Sequence, residues 1–131
     1  MDKQQAYSAF WNGFGVLAFE ENSVPTQDVL AELAATAGKP TDIYITYQVL
    51  IDDLGGRIFP TASIYSKSSS WEKADTLSNA ISNRIKAMNT IKLDSGRMFI
   101  TKGSPFSQHM GEEGDQTIKR IVLNLGVEFL T

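Results

Sequence analysis

The sequence predicts an α+β domain: a mainly antiparallel or mixed sheet of about four to six strands with helices packed on one face. Three observations carry that expectation. Residues 42–52, "DIYITYQVLID", alternate Ile43, Ile45, Tyr47, Val49 and Ile51 with Tyr44, Thr46, Gln48 and Leu50, the period of a half-buried strand. Residues 68–88 carry Ala74, Leu77, Ile81, Ile85 and Met88 at steps of three and four, a continuous helical stripe. The other apolar runs are short extended pieces separated by glycine- and aspartate-bearing turns.

Each element has a local reason. Residues 2–12 read as a first helix, with Asp2 as its cap and Ala6, Phe10 and Phe14 spaced along one face. Gly13 and Gly15 interrupt it, and "GVLAFEE" is a short extended piece before a turn at residues 22–25. A second helix opens at Thr26 or Gln27. Its expected apolar face is Val29, Leu30 and Leu33, with Asp28 near its positive end and Gly38 and Pro40 closing it. After the alternating strand, residues 52–56 form a turn and "RIFPTASIYSK" returns as its partner, with Pro60 at an edge or bulge because it cannot donate to a ladder. Ser69 and Glu72 have the spacing of a capping box for the long helix, whose first turn holds Glu72 and Asp75 and whose last holds Arg84 and Lys86. "TIKLDSGRMFITKG" reads as a hairpin turning at residues 94–96. Residues 104–115, "SPFSQHMGEEGD", read as an acidic loop, and Ile121, Leu123, Leu125, Val127 and Phe129 alternate in a final strand. An uncovered sheet face bearing Tyr44, Thr46 and Gln48 is a natural place for a partner.

Composition narrows the function. The 131 residues fit one domain, spanning 1–131, and 42% apolar with 21% charged residues is the balance of an ordinary globular chain. With no cysteine, neither disulfides nor thiolate chemistry is available. Twelve basic residues spread among 15 acidic ones argue against specific nucleic-acid binding, which draws on a basic surplus. The N-terminal stretch lacks the apolar run of a signal peptide, and no segment approaches the length of a membrane span, so synthesis and initial residence in a cytoplasm are expected.

The residues with chemical potential have simpler roles. Ser70 and Lys73 match the S-x-x-K spacing of some acyl-transfer enzymes, but the companion motifs are absent and helix capping accounts for the serines. His109, the single histidine, stands near Glu112, Glu113 and Asp115. One histidine without cysteine makes a poor zinc site, and the carboxylates lack the alternating oxygens and closing glutamate of a calcium loop. The glycine pairs do not form a nucleotide-binding pattern. Trp71, at the start of the long helix, suits an interface anchor. The expectation is a binding or assembly protein with no catalytic residue, no metal and no cofactor.

Several stretches together resemble the tail-terminator, or tail-completion, proteins of long-tailed bacteriophages. They are "FEENSVP" at residues 19–25, "YITY" at 44–47, and S-x-S-W-x-x-x-D through Ser68, Ser70, Trp71 and Asp75. "PFSQ" at 105–108, followed by acidic residues and "IKRI", completes the set. The helical segment 26–41 is longer than the resemblance leads one to expect. The resemblance implies a ring, commonly a hexamer, on the end of a finished tail tube, which stops polymerisation and presents the surface for head joining. It implies three partners: the chain itself, the tube protein and a head-completion or connector protein. It places the protein in the virion tail or neck after synthesis in the bacterial host cytoplasm. The alternatives are another phage neck or tail-tube component, a small α+β ligand-binding protein, or a hydrolase using His109. Within the ring reading, the expected interface comprises Trp71, Arg97, Lys102, Phe106, Gln108, His109, Glu112, Glu113, Asp115 and Lys119. Its acidic stretch is expected to meet Arg97, Lys102 or Lys119 of a neighbour or of the tube protein. Reversing Glu112 and Glu113 to lysine is then expected to impair ring formation and disturb tail length; unchanged rings and tails reject that contact.

Overall fold

A computed structural model describes residues 2–49, 57–68, 70–88, 90–94, 96–112 and 115–130. Among the described residues the elements run α1 (Lys3–Trp11), β1 (Leu17–Glu20), α2 (Gln27–Ala37), β2 (Ile43–Tyr47), β3 (Arg57–Ile58) and β4 (Thr61–Lys67), then α3 (Glu72–Ala87), β5 (Ile91–Leu93), β6 (Gly96–Glu112) and β7 (Asp115–Leu130). The seven strands form one mixed sheet in the order β1-β2-β4-β7-β6-β5, with β3 also on β7. β1 and β2 pair in parallel, joined by α2, and the other pairs are antiparallel.

The helix starts follow their sequences. Asp2 accepts from the Gln5 backbone and Gln5 answers to the Asp2 N–H, a reciprocal cap that fixes where α1 begins. Gly38 ends α2 at φ 67°, the left-handed conformation that glycine adopts without penalty. Ser69 lies outside the described residues; the first turn of α3 is served by Ser70, whose Oγ accepts from Glu72 N at 3.1 Å. Lys73 in that turn reaches Asp42 at the head of β2, and this ammonium holds the Asp42 carboxyl below the usual carboxylate range.

One face of the sheet carries the main core. Ile43, Ile45, Ile64, Met98, Ile100, Ile121, Leu123, Leu125 and Val127 pack there against Ala74, Leu77, Ile81 and Ile85 of α3 and Ala6, Tyr7, Phe10 and Trp11 of α1. Met88, the last member of the predicted stripe, is half-buried against the same core. Burying one such aliphatic side chain contributes about 1.5–3 kcal/mol, so the α3 stripe alone accounts for much of that helix's attachment.

Four expectations need correction. The helices are not all on one face: α2 packs through Leu30 and Ala34 on Leu17, Phe19 and Tyr44, a separate cluster across the sheet. A parallel β1-α2-β2 crossover places its helix on a face, and the other face is already filled. Val29 and Leu33, expected in the α2 apolar face, are exposed at 45% and 43%, because Leu30 and Ala34 supply the stripe. Residues 57–67 do not form one unbroken strand; Phe59 and Pro60 separate β3 from β4, which continue in the same register along β7. Finally, residues 104–112 of the expected loop belong to the outer half of β6, paired with β7 from Ser107 onward, while residues 113–114 lie outside the described residues. The 52–56 turn and the residues beyond Val49 lie outside the described residues.

The N-terminal aromatic side chains Tyr7, Phe10 and Trp11 belong to the core. Trp11 stacks on Tyr47 with centroids 6.2 Å apart, and Tyr7 meets both rings edge-on. Burial, partly offset by the Trp11 indole, pushes the Tyr7 phenol up to about 12. An acid whose folded pKa exceeds its unfolded value near 10 loses stability for the fold as pH rises through that interval, because the unfolded chain sheds its proton first. Urea denaturation from pH 9 to pH 12 is expected to show falling stability in the native chain and a shallower fall in Tyr7→Phe; identical slopes would exclude Tyr7 as the cause.

Candidate functional site

β6 departs from simple pairing at its midpoint. Lys102 stands opposite Leu125 and Ser107 opposite Leu123, so residues 103–106 bulge against the single residue Asn124. Asn124 Nδ2 donates to the Pro105 carbonyl at 3.0 Å, and the Ser104–Pro105 peptide is cis. Gly103 permits the approach: a Cβ there would lie 2.9 Å from the Asn124 backbone oxygen. Beyond the bulge, His109 stands opposite Ile121 on the helix-bearing face of the sheet.

That register delivers His109 to the start of α3. Trp71 precedes the helix, and Asp75 lies one turn further along the same side. The His109 imidazole stacks on the Trp71 indole with centroids 3.7 Å apart and planes 2° apart. His109 Nε2 lies 2.7 Å from Asp75 Oδ1, with both side chains about half exposed. From β7, the Lys119 ammonium lies 5.5 Å from the Trp71 ring centre, within cation–π range. Three of the residues expected at an interface, Trp71, His109 and Lys119, therefore meet in one cluster. Asp75 completes it and was not among them; its i+4 spacing from Trp71 was the available signal. A ring face, a carboxylate and an ammonium converge here as a clamp that fastens the outer half of β6 to α3.

The other expected residues are dispersed. Phe106 packs half-buried against the core, with the Lys102 ammonium 5.6 Å above its ring. Lys102 also donates to Ser82 Oγ at 3.1 Å. Gln108 is exposed opposite Val122. Arg97 lies at the other end of β6, where it donates to Thr90 Oγ1 at 3.1 Å. Glu112 pairs with Asp115 at the hairpin end, and Glu113 lies outside the described residues.

The opposite sheet face carries a second feature, foreseen only in part. Beside the cluster under α2, an open groove of about 450 Å³ is lined by Tyr44, Ser63, Tyr65 and Arg120 together with Glu21 and Val24. Thr46 lies within it but is buried, so the expected surface of Tyr44, Thr46 and Gln48 is recentred on Tyr65 and Arg120. Gln48 instead accepts from Thr61 N at 3.1 Å through its side-chain oxygen.

Among the described residues, no group of three His, Asp or Glu side chains is placed to hold a metal ion, and no helix is long and apolar enough to cross a membrane. Exposed ion pairs and stacking contacts each contribute about 0.5–1 kcal/mol. His109→Ala is therefore expected to lower global stability by only about 1 kcal/mol while speeding amide hydrogen exchange selectively in residues 107–111. Exchange unchanged in that segment would show that the clamp does not hold β6.

No family model and no curated protein matches the chain. Among solved structures, it is similar to a chain in the virion of a native gene transfer agent particle, at a TM-score of 0.54 and 14% identity. The alignment covers 93% of this chain and 82% of that one, and at this identity it shows a shared fold.

Proposed function

We propose that the chain is a structural component of a phage-like virion, acting by selective association and with no catalytic role. Its place is the end of the tail: a tail-terminator subunit that forms a ring, a hexamer on the family's usual pattern, on the finished tube. The ring stops tube polymerisation and offers the surface where the head is joined. The partners are further copies of the chain, the tube protein and a head-completion or connector protein, in a tail or neck assembled within the bacterial host.

The fold shared with a gene transfer agent virion chain over 93% of this chain is the observation that supports a virion role. The finer assignment draws on the residues of the tail-terminator resemblance. The clamp suits an assembly surface, since it holds a long hairpin in place without any strained or reactive group.

The test is mass measurement of the purified protein, alone and mixed with tail tubes, with electron microscopy of the mixture. A closed ring bound at one end of each tube, in few copies, is expected. Long filaments formed by the chain alone would instead assign it to the tube. Monomers that ignore tubes would reject both roles.

A further inference from the structure

Helix α2 is held to its own sheet by very little. Of its 11 residues only Leu30 and Ala34 are buried, against Leu17, Phe19 and Tyr44. A helix this short draws its stability from packing, because on its own it is marginal in water. Two larger apolar side chains nonetheless face solvent: Val29 and Leu33, one turn apart. At the pitch of an α-helix Leu33 stands about 60° and Val29 about 100° round from Leu30, both to the same side. Glu32 borders that ridge, exposed and without an ion pair among the described residues.

The same sheet face continues past α2 with a complementary surface. Tyr44 on β2 stands opposite Tyr65 on β4, Tyr65 opposite Arg120 on β7, and Arg120 opposite Met110 on β6. This row, with Val122 two residues beyond Arg120 on the same face, is half-buried or exposed. The tyrosine rings stack at 5.3 Å with planes 16° apart, and the Arg120 guanidinium lies 5.4 Å from the Tyr65 ring centre. Its Nε donates to Ser63 Oγ at 3.2 Å. Among the described residues Arg120 forms no ion pair either. An arginine steadied by one nitrogen and one ring face keeps the rest of its fork for a carboxylate, which it matches in shape as well as charge.

Each patch thus joins apolar side chains to one unpaired charge, of opposite sign to the other's. They cannot meet within one chain. Leu30 and Ala34 pin α2 over β1 and β2, which turns Glu32, about 160° round from Leu30, away from the sheet. A second copy supplies both halves.

We propose that α2 of one copy docks on the sheet face of the next, with Val29 and Leu33 covering Val122 and Met110 while Glu32 meets Arg120. This rests on the assembly reading above and names the two patches that meet. Helix ridge and sheet face are different surfaces, so the contact is heterologous, the kind that closes into a ring or continues as a filament. Docking gives α2 a second packed side, which accounts for an apolar ridge that the single chain leaves in water.

Charge exchange tests it. Sedimentation of the full chain, alone and with tail tubes, compares the native protein with Glu32→Arg, Arg120→Glu, both changes in one chain, and Leu33→Gln. Glu32 and Leu33 are exposed, so their variants are expected to keep the native circular dichroism spectrum. Each single variant is expected to assemble about tenfold more weakly or worse. The double variant is expected to recover assembly, because its reversed helix meets the reversed face of the next copy. If Arg120→Glu does not fold, Arg120→Gln and Glu32→Gln replace the reversals, and their combination is expected to assemble no more weakly than either alone. Native assembly by the Glu32, Leu33 and Arg120 variants overturns the docking and leaves the ring reading standing. Weakened single variants whose effects simply add in the double also overturn it, since helix and face then act separately. A native chain monomeric both alone and on tubes overturns docking and ring together.

Discussion

Strand β7 must be paired along both of its sides, and the rest of the sheet is arranged around meeting that requirement. β6 runs along one side; β3 and β4 share the other in a single register. An unpaired backbone amide or carbonyl in such a position costs as much as a lost hydrogen bond, so neither side can be left open. Pro60 is the one residue in the β3–β4 line that cannot donate, and its carbonyl still accepts from Leu125 N at 3.2 Å. The inward row of Ile121, Leu123, Leu125 and Val127 then gives α1 and α3 their packing surface. Backbone satisfaction fixes the plane of the sheet, and burial fixes which way it faces.

The same strand divides the molecule's two polar features. Adjacent side chains on a strand point to opposite faces, and Lys119 and Arg120 are adjacent. Lys119 joins the Trp71 ring on the helix-bearing face. Arg120 lies in the groove on the other. The clamp is thus an internal fastening that steadies the hairpin, and the groove is the outward-facing counterpart.

The long-period features were legible in the sequence. The α3 stripe, the β2 alternation, the α1 cap and the Gly38 stop all depend on neighbours within a few positions, where spacing and residue type suffice. The outer half of β6 was not legible, for a physical reason. Ser107, Gln108, His109 and Met110 are all exposed, so no apolar alternation marks the strand; only the ladder to β7 does. The α2 face was misjudged because Val29 and Leu33 are more apolar than Ala34, whereas Ala34 fits closer against β1 and β2. The convergence of Trp71 with His109 was invisible for want of any rule linking residues so far apart. Trp71 was singled out by its place at the start of the long helix and His109 as the single histidine, and the structure supplies the reason they belong together.

The bulge at residues 103–106 decides more than local shape. Ahead of it, even-numbered residues such as Met98 and Ile100 point to the core; past it, odd-numbered Ser107 and His109 take the core-facing positions opposite Leu123 and Ile121. The segment therefore acts as a parity switch between two halves of one strand. Losing or gaining a single residue there would exchange the faces of the outer hairpin, turning His109 toward the groove and Gln108 or Met110 toward Trp71. Length changes in this short stretch should be tolerated in evolution only in steps of two, a constraint on how the chain can diverge that no individual side chain reveals.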